Sequence, residues 1–146
     1  MGLPRPGKGY LIADGMNASP SQNASLPPTI FVVDDEPVLL DLAQTILQPL
    51  GFNVQTFVDP RKALTAFKLA QPSLIVTDYA MGDLTGLDLL RECRRLNPNQ
   101  KVLLLSGTVD RSIYAQESSK PDLFLPKPYQ IRDLVESVRA LVALQK

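Results

Sequence analysis

Four apolar runs in this chain each end in a polar or charged residue. Ile30-Phe31-Val32-Val33 leads into Asp34-Asp35, Leu74-Ile75-Val76-Thr77 into Asp78, Lys101–Leu105 into Ser106, and Leu123-Phe124-Leu125-Pro126 into Lys127. Strands of an open parallel sheet place such ends along one edge, where ligands of these folds bind. Three carboxylates, one hydroxyl and one ammonium gathered there suit a divalent cation and a phosphoryl group. One carboxylate after a strand is enough to cap the next helix. Two in a row, followed by Glu36, repel each other, and Asp78 from a neighbouring strand adds to that repulsion. A small hard ion such as magnesium relieves it, taking one or two carboxylates and keeping room for water and phosphate oxygen.

Composition removes several other chemistries. The chain has no histidine, which excludes His-based triads, most zinc sites and a phosphohistidine of its own. Any histidine that donates a phosphoryl group must belong to another protein. The single cysteine, Cys93, cannot form an intramolecular disulfide, and it falls at helical spacing with Leu89, Leu90 and Leu96, so it reads as a small buried apolar residue. Fifteen basic and 15 acidic residues cancel, giving no electrostatic reason to expect direct nucleic-acid binding. No stretch approaches the roughly 18 apolar residues of a membrane span, and the N-terminus lacks the layout of a secretory signal. A cytoplasmic protein with no membrane contact is the expectation.

The elements needed to position those residues are legible as alternating periods. Residues 1–28, rich in Pro, Gly, Ser and Asn, read as a flexible N-terminal tail, and residues 29–146 as one domain. Thr29–Val33 reads as a buried strand. Pro37 suits the first turn of a helix whose apolar positions are Leu39, Leu42, Ala43, Ile46, Leu47 and Leu50, stopped by Pro49 and Gly51. Phe52–Val58 alternates as a second strand, with Phe52, Val54, Thr56 and Val58 on one face. Asp59-Pro60 reads as an N-cap and first helical residue, and Ala63, Leu64, Phe67 and Ala70 mark the helix that follows. Ser73–Thr77, Gly86–Leu96, Lys101–Leu105 and Leu123–Leu125 continue as strand, helix, strand and strand. Val109–Lys120 is weakly amphipathic and reads as a short helix. Ile131, Leu134, Val135, Val138, Leu141 and Val142 define a last one, reaching Leu144. Five βα units of this kind imply an α/β fold with a doubly wound, five-stranded parallel sheet covered by helices on both faces.

Asp34-Asp35-Glu36-Pro37, Asp78-Tyr79-Ala80-Met81, Gly86, Ser106-Gly107 and Lys127-Pro128 follow one another at expected strand ends. In order and spacing they resemble the response-regulator receiver domain, the phosphoacceptor half of two-component signalling, along residues 29–146. The resemblance implies a flavodoxin-like (βα)5 sheet of strand order 2-1-3-4-5. It implies that Asp78 accepts a phosphoryl group from a phosphohistidine of a sensor histidine kinase or phosphotransfer protein. Magnesium would be held by Asp35 and Asp78 directly, by Asp34 through water, and by the backbone carbonyl of Ala80. Ser106 and Lys127 would bind phosphoryl oxygens. Phe124 matches the switch aromatic that moves with the Ser106 hydroxyl, although as a residue of the fifth strand it also fits the core. Lys127-Pro128 would carry a cis peptide. The implied outcome is a signal to a downstream effector protein through a changed surface.

Some residues depart from the family pattern. Gly82 follows Met81 where proline is usual, which loosens that loop. Thr108–Pro121 is unusually polar, and that face commonly carries partner contacts, including phosphorylation-dependent homodimers. Ala80 and Thr108 stand where the family tunes phosphoryl lifetime, and Ala80 has no side chain to orient a hydrolytic water, which implies slow loss of the phosphoryl group. With its last helix ending at Leu144, the chain reads as a stand-alone receiver or one excised from a longer regulator or hybrid kinase. Self-phosphorylation and self-dephosphorylation are the only catalysis expected. A magnesium-dependent phosphatase would need an acid two residues after its nucleophile, where Ala80 stands. A phosphorylation-independent interaction module that keeps the fold is the main alternative.

Overall fold

The computed structural model describes residues 26–107 and 119–144. Five strands, β1 (Thr29–Val33), β2 (Asn53–Phe57), β3 (Leu74–Asp78), β4 (Lys101–Ser106) and β5 (Leu123–Pro126), form one sheet. All its pairs are parallel and its order is β2-β1-β3-β4-β5, as the resemblance implied. The helices are α1 (Pro37–Leu47), α2 (Pro60–Leu69), α3 (Gly86–Leu96) and α4 (Ile131–Ala143). The expected helix at Val109–Lys120 lies outside the described residues apart from Ser119 and Lys120, and so does the expected tail up to residue 25.

Alternation along each strand divides the core into two layers. Ile30, Val32, Leu74, Val76, Leu103 and Leu105 face α1 and α4, meeting Leu40, Ala43, Leu47, Leu134, Val138 and Leu141. Phe31, Val33, Ile75 and Val102 face α2 and α3, meeting Ala63, Phe67, Leu89, Leu90 and Cys93. Truncating a fully buried ring such as Phe67 to alanine costs about 3–5 kcal/mol. Burial pushes the Cys93 thiol up to about 12, so it is an inert core residue. No helix among the described residues is long and apolar enough to cross a membrane.

Several boundaries differ from those expected. The strands β3, β4 and β5 each run one residue further, because the parallel ladder continues through Asp78 opposite Leu105 and Ser106 opposite Pro126. Helix α1 ends at Leu47 and tightens into a 3₁₀ turn, Gln48–Leu50, because Pro49 has no N–H to continue an α-helix. Gly51 then closes the turn in the left-handed region, φ 100°. The buried face of α1 is Leu40, Ala43 and Leu47, whereas Leu42 and Leu50 are each 40% exposed. In β2, Val54 is buried as expected, but Val58 lies past the strand end and is 50% exposed. Phe57 instead packs on Phe31, ring centroids 4.9 Å apart, in the opposite layer. Asp59 caps α2 as expected, its carboxylate accepting from the Arg61 N–H at 2.9 Å.

Candidate functional site

The C-terminal edge of the sheet gathers the residues singled out by the sequence. Because β1 and β3 are neighbours in register, Val33 lies beside Thr77, and the residues that follow come out side by side. A carboxylate oxygen from each of Asp34, Asp35 and Asp78 lies within 4.8 Å of the others. Asp34 and Asp78 are buried, while Asp35 is exposed. Lys127 follows β5 and reaches back across the edge. Its Nζ stands 3.1 Å from Asp34 Oδ2, 3.4 Å from Asp78 Oδ1 and 4.0 Å from Glu36 Oε1. Ser106, the last residue of β4, is buried beside this group, and its backbone carbonyl accepts from the Lys127 N–H at 2.8 Å.

Backbone donors complete the arrangement. The Asp34 carboxylate accepts from Glu36 N–H at 3.0 Å through Oδ1, and the Asp78 carboxylate accepts from Tyr79 N–H at 3.0 Å. Asp34 thus supports the entry to α1 and also meets Lys127, so the capping and site roles coexist. The N-cap residue itself, Glu36, makes no side-chain cap bond. Gly86 opens α3 directly against the strand that bears Asp78. A Cβ at that position would lie 2.3 Å from the Asp78 carbonyl oxygen and 2.8 Å from Leu104 Cδ1, so only glycine allows the approach.

The electrostatics are those of too much negative charge. Burial, and then the charge of Asp34, raise the Asp78 carboxyl above its ordinary value, against the pull of Lys127. Burial alone would lower the Lys127 ammonium, but the hydrogen bonds and charges of Asp34 and Asp78 together outweigh it, and its pKa rises. Among the described residues, Lys127 is the one cation within 4.0 Å of Asp34, Asp78 and Glu36, and Asp35 adds a further negative charge to the cluster. Hard carboxylate oxygens in such a cluster are a fitting donor set for a divalent ion.

The model of the response regulator receiver domain matches residues 30–139. The chain belongs to that family. Receiver domains are signalling switches rather than conventional enzymes, and this one follows the pattern in fold and in its acidic edge. The chain is 36% identical over 118 residues to the probable transcriptional regulatory protein TcrX of Mycobacterium tuberculosis, covering 80% of this chain and 50% of that protein. It thus spans about half the length of the curated relatives it matches. A receiver domain from Clostridium thermocellum superposes with TM-score 0.72 at 28% identity, covering 80% of this chain and 94% of that one. The response regulator TrrA of Thermotoga maritima, solved in complex with Mg(2+)-BeF, gives TM-score 0.69 at 29% identity over 78% of this chain and 98% of that one.

The receiver edge brings Asp34, Asp35, Asp78 and Lys127 into one cluster, with Ser106 at the adjacent strand end. Ala80 is exposed in the loop just after Asp78, and the Lys127-Pro128 peptide is cis. Phe124 is half-buried in β5 opposite Leu104. Thr108 lies outside the described residues.

The sequence reading did not anticipate the reach of Lys127 towards Glu36 or a neighbouring apolar groove. That groove, ≈ 380 Å³, is lined by Glu36, Leu39, Leu42, Lys127, Pro128 and Tyr129. The available signal was the excess of leucines on α1, more than one helix face needs for its core.

Proposed function

We propose that this receiver domain is a phosphoacceptor switch, in which Asp78 takes a phosphoryl group from a phosphohistidine of a sensor kinase or phosphotransfer protein. The observation that carries the proposal is the packing of the Asp34, Asp35 and Asp78 carboxylates within 4.8 Å, with Lys127 as the ammonium between two of them. Asp35 and Asp78, Asp34 through water, and the carbonyl of Ala80 would hold magnesium. When bound, that ion supplies charge neutralisation for the acids and for phosphoryl oxygens.

An oxygen of Asp78 attacks phosphorus. The new bond is P–O, the bond broken is P–N, and its electron pair returns to the imidazole of the donor. A carboxylate is already ionised at neutral pH and needs no base. Lys127 exchanges part of its contact with Asp78 for the arriving anion, and the Ser106 hydroxyl binds another phosphoryl oxygen. Positioning and charge neutralisation are most of what phosphoryl transfer requires. The added charge then biases the packing of Ser106 and Phe124 between two arrangements. Such a change alters the surface offered to a downstream effector.

A protein donor is supported by the surface next to the acid cluster. Val38, 76% exposed on α1, lines a second hollow that shares Glu36 and Leu39 with the groove formed by Leu39, Leu42, Pro128 and Tyr129. An apolar face continuous with Lys127 fits a donor that brings its phosphohistidine to Asp78 while burying its own apolar side chains. Residues 29–146 form the receiver unit in this reading, preceded by a tail.

Incubation with acetyl phosphate and magnesium, followed by intact-mass measurement, tests the assignment. Wild type gains one phosphoryl group and Asp78→Asn gains none; an equal gain in both would sink it. The methyl side chain of Ala80 cannot orient a water, so the phosphorylated form persists well beyond seconds after the donor is removed. Decay within seconds would refute that part.

A further inference from the structure

The loop from Tyr79 to Thr85 is fastened unevenly. Near β3, Tyr79 N–H donates to Leu105 O at 2.8 Å, and Met81 is buried with its Sδ 3.7 Å from Thr77 Oγ1. Near α3, Gly86 N–H donates to Tyr79 O at 2.8 Å. Thr85 and Asp88 there form a reciprocal cap, with bonds of 2.9 and 3.1 Å. Between these anchors the tip is Gly82-Asp83, both exposed. Gly82 has φ 79°, and a Cβ added there would meet nothing within 4 Å, so no packing holds it. The residue beside it does reach the body of the domain: Asp83 Oδ2 accepts from Arg61 Nη2 at 2.7 Å. Arg61 is itself fixed at the start of α2, where its N–H is bound by Asp59 Oδ1 at 2.9 Å and its guanidinium lies 3.9 Å from the same carboxylate.

We infer that the Arg61–Asp83 pair is a positioning device, a tie from α2 that holds the tip of the loop carrying Ala80, whose carbonyl the reading above gives to the metal. This rests on the metal-site reading above. A glycine at the tip leaves the loop conformationally permissive, so a tie at the next residue removes freedom that metal binding would otherwise have to remove. A purely electrostatic role predicts something different. Removing the positive charge of Arg61 would then favour a cation at the acids, and removing the negative charge of Asp83 would disfavour it. Positioning requires both changes to act in one direction.

Calorimetric titration of magnesium into wild type, Arg61→Gln, Asp83→Asn and the exchanged pair Arg61→Asp/Asp83→Arg separates the two. Both single variants bind magnesium about two- to five-fold more weakly, the scale of an exposed ion pair, and the exchange recovers most of the loss. Hydrogen exchange in chelator gives a metal-free readout. Amides of Thr85 and Gly86, hydrogen-bonded at 2.9 and 2.8 Å, exchange faster in both single variants, while those of β1 and β3 are unchanged. Opposite shifts in the two single variants, or no shift in either, overturn the inference. If wild type takes up no magnesium, the metal-site reading falls, and the tie is then judged by exchange in chelator alone. The chelator measurement would still show whether the pair holds the loop.

Discussion

Lys127 and Arg94 sit at opposite edges of the same sheet, and each crosses strand ends to meet carboxylates. Arg94, in the last turn of α3, donates through Nε to Gln100 O at 3.0 Å, through Nη1 to Ser119 Oγ at 3.0 Å and to Lys120 O, and through Nη2 to Asp122 Oδ2 at 2.7 Å. Asp122 also accepts from Val102 N–H at 2.8 Å, with Lys101 Nζ 3.8 Å away. At that edge one carboxylate is surrounded by donors, and Arg94 spreads its charge over neutral acceptors. At the other edge, among the described residues, one ammonium stands among three acids at 3.1, 3.4 and 4.0 Å, with Asp35 adding a further charge. In the first arrangement the Asp122 carboxylate is matched by its donors, although the buried Gln100 Oε1 beside it has no hydrogen-bond partner among the described residues. The second is stable only in part and has capacity for more positive charge. A charged cluster at a strand end is therefore informative about chemistry through its balance of charge, not its number of ion pairs.

Substitutions should separate the two edges. Arg94→Ala strips donors from Asp122 and from two carbonyls together; with 14% of its side chain exposed, the expected loss is about 3 kcal/mol in urea unfolding. Adding magnesium should leave that deficit unchanged. Lys127→Met leaves Asp34 and Asp78 without their cation and costs about 2 kcal/mol in chelator, allowing for partial exposure. Here magnesium returns more stability to the variant than to wild type, because the competing ammonium has gone. Equal recovery would mean that Lys127 and the ion do not share the cluster.

Neutralising one acid at each edge should change stability by a smaller amount and in opposite directions. Asp122→Asn lowers stability by about 1–2 kcal/mol, the usual loss for hydrogen bonds to a charged group. Asp78→Asn, in chelator at neutral pH, raises the urea midpoint. Its carboxyl sits above the ordinary 3.8, so the folded chain holds that proton more tightly than the unfolded chain does. Stability contributed by Asp78 therefore falls as pH rises from the ordinary value through the raised one, and stays lowered above it. The gain from asparagine is greatest near neutrality and vanishes as pH drops below 3.8. A midpoint that falls at pH 7 would contradict the account of excess negative charge.

What could be read from the sequence follows the same division. Asp34, Asp35, Asp78, Ser106 and Lys127 each follow a β-rich apolar run, and parallel strands bring such positions together without any further information. Arg94 gave no comparable signal. A basic residue in the last turn of a helix reads as a complement to the dipole, and its partners Ser119 and Asp122 are 25 and 28 residues away. The Arg61–Asp83 tie, 22 residues apart, was hidden for the same reason. In α1 the pattern offered more leucines than one face can bury, so period alone favoured Leu39 and Leu42 while the packing selected Leu40. Val58 was misplaced because alternation was continued past the end of β2. The Thr85–Asp88 cap had a readable spacing and marks where α3 begins.

The strand that bears Asp78 is the middle one of five, paired on both sides and buried at every position. Such a strand opens to solvent last, and the amides of Ile75 to Thr77 should be among the slowest of the domain to exchange. An event at its tip finds no slack within the strand itself. Its mechanical effects must be taken up by the outlying parts, so the covalent mark would be written at the domain's stiffest point and read at its periphery.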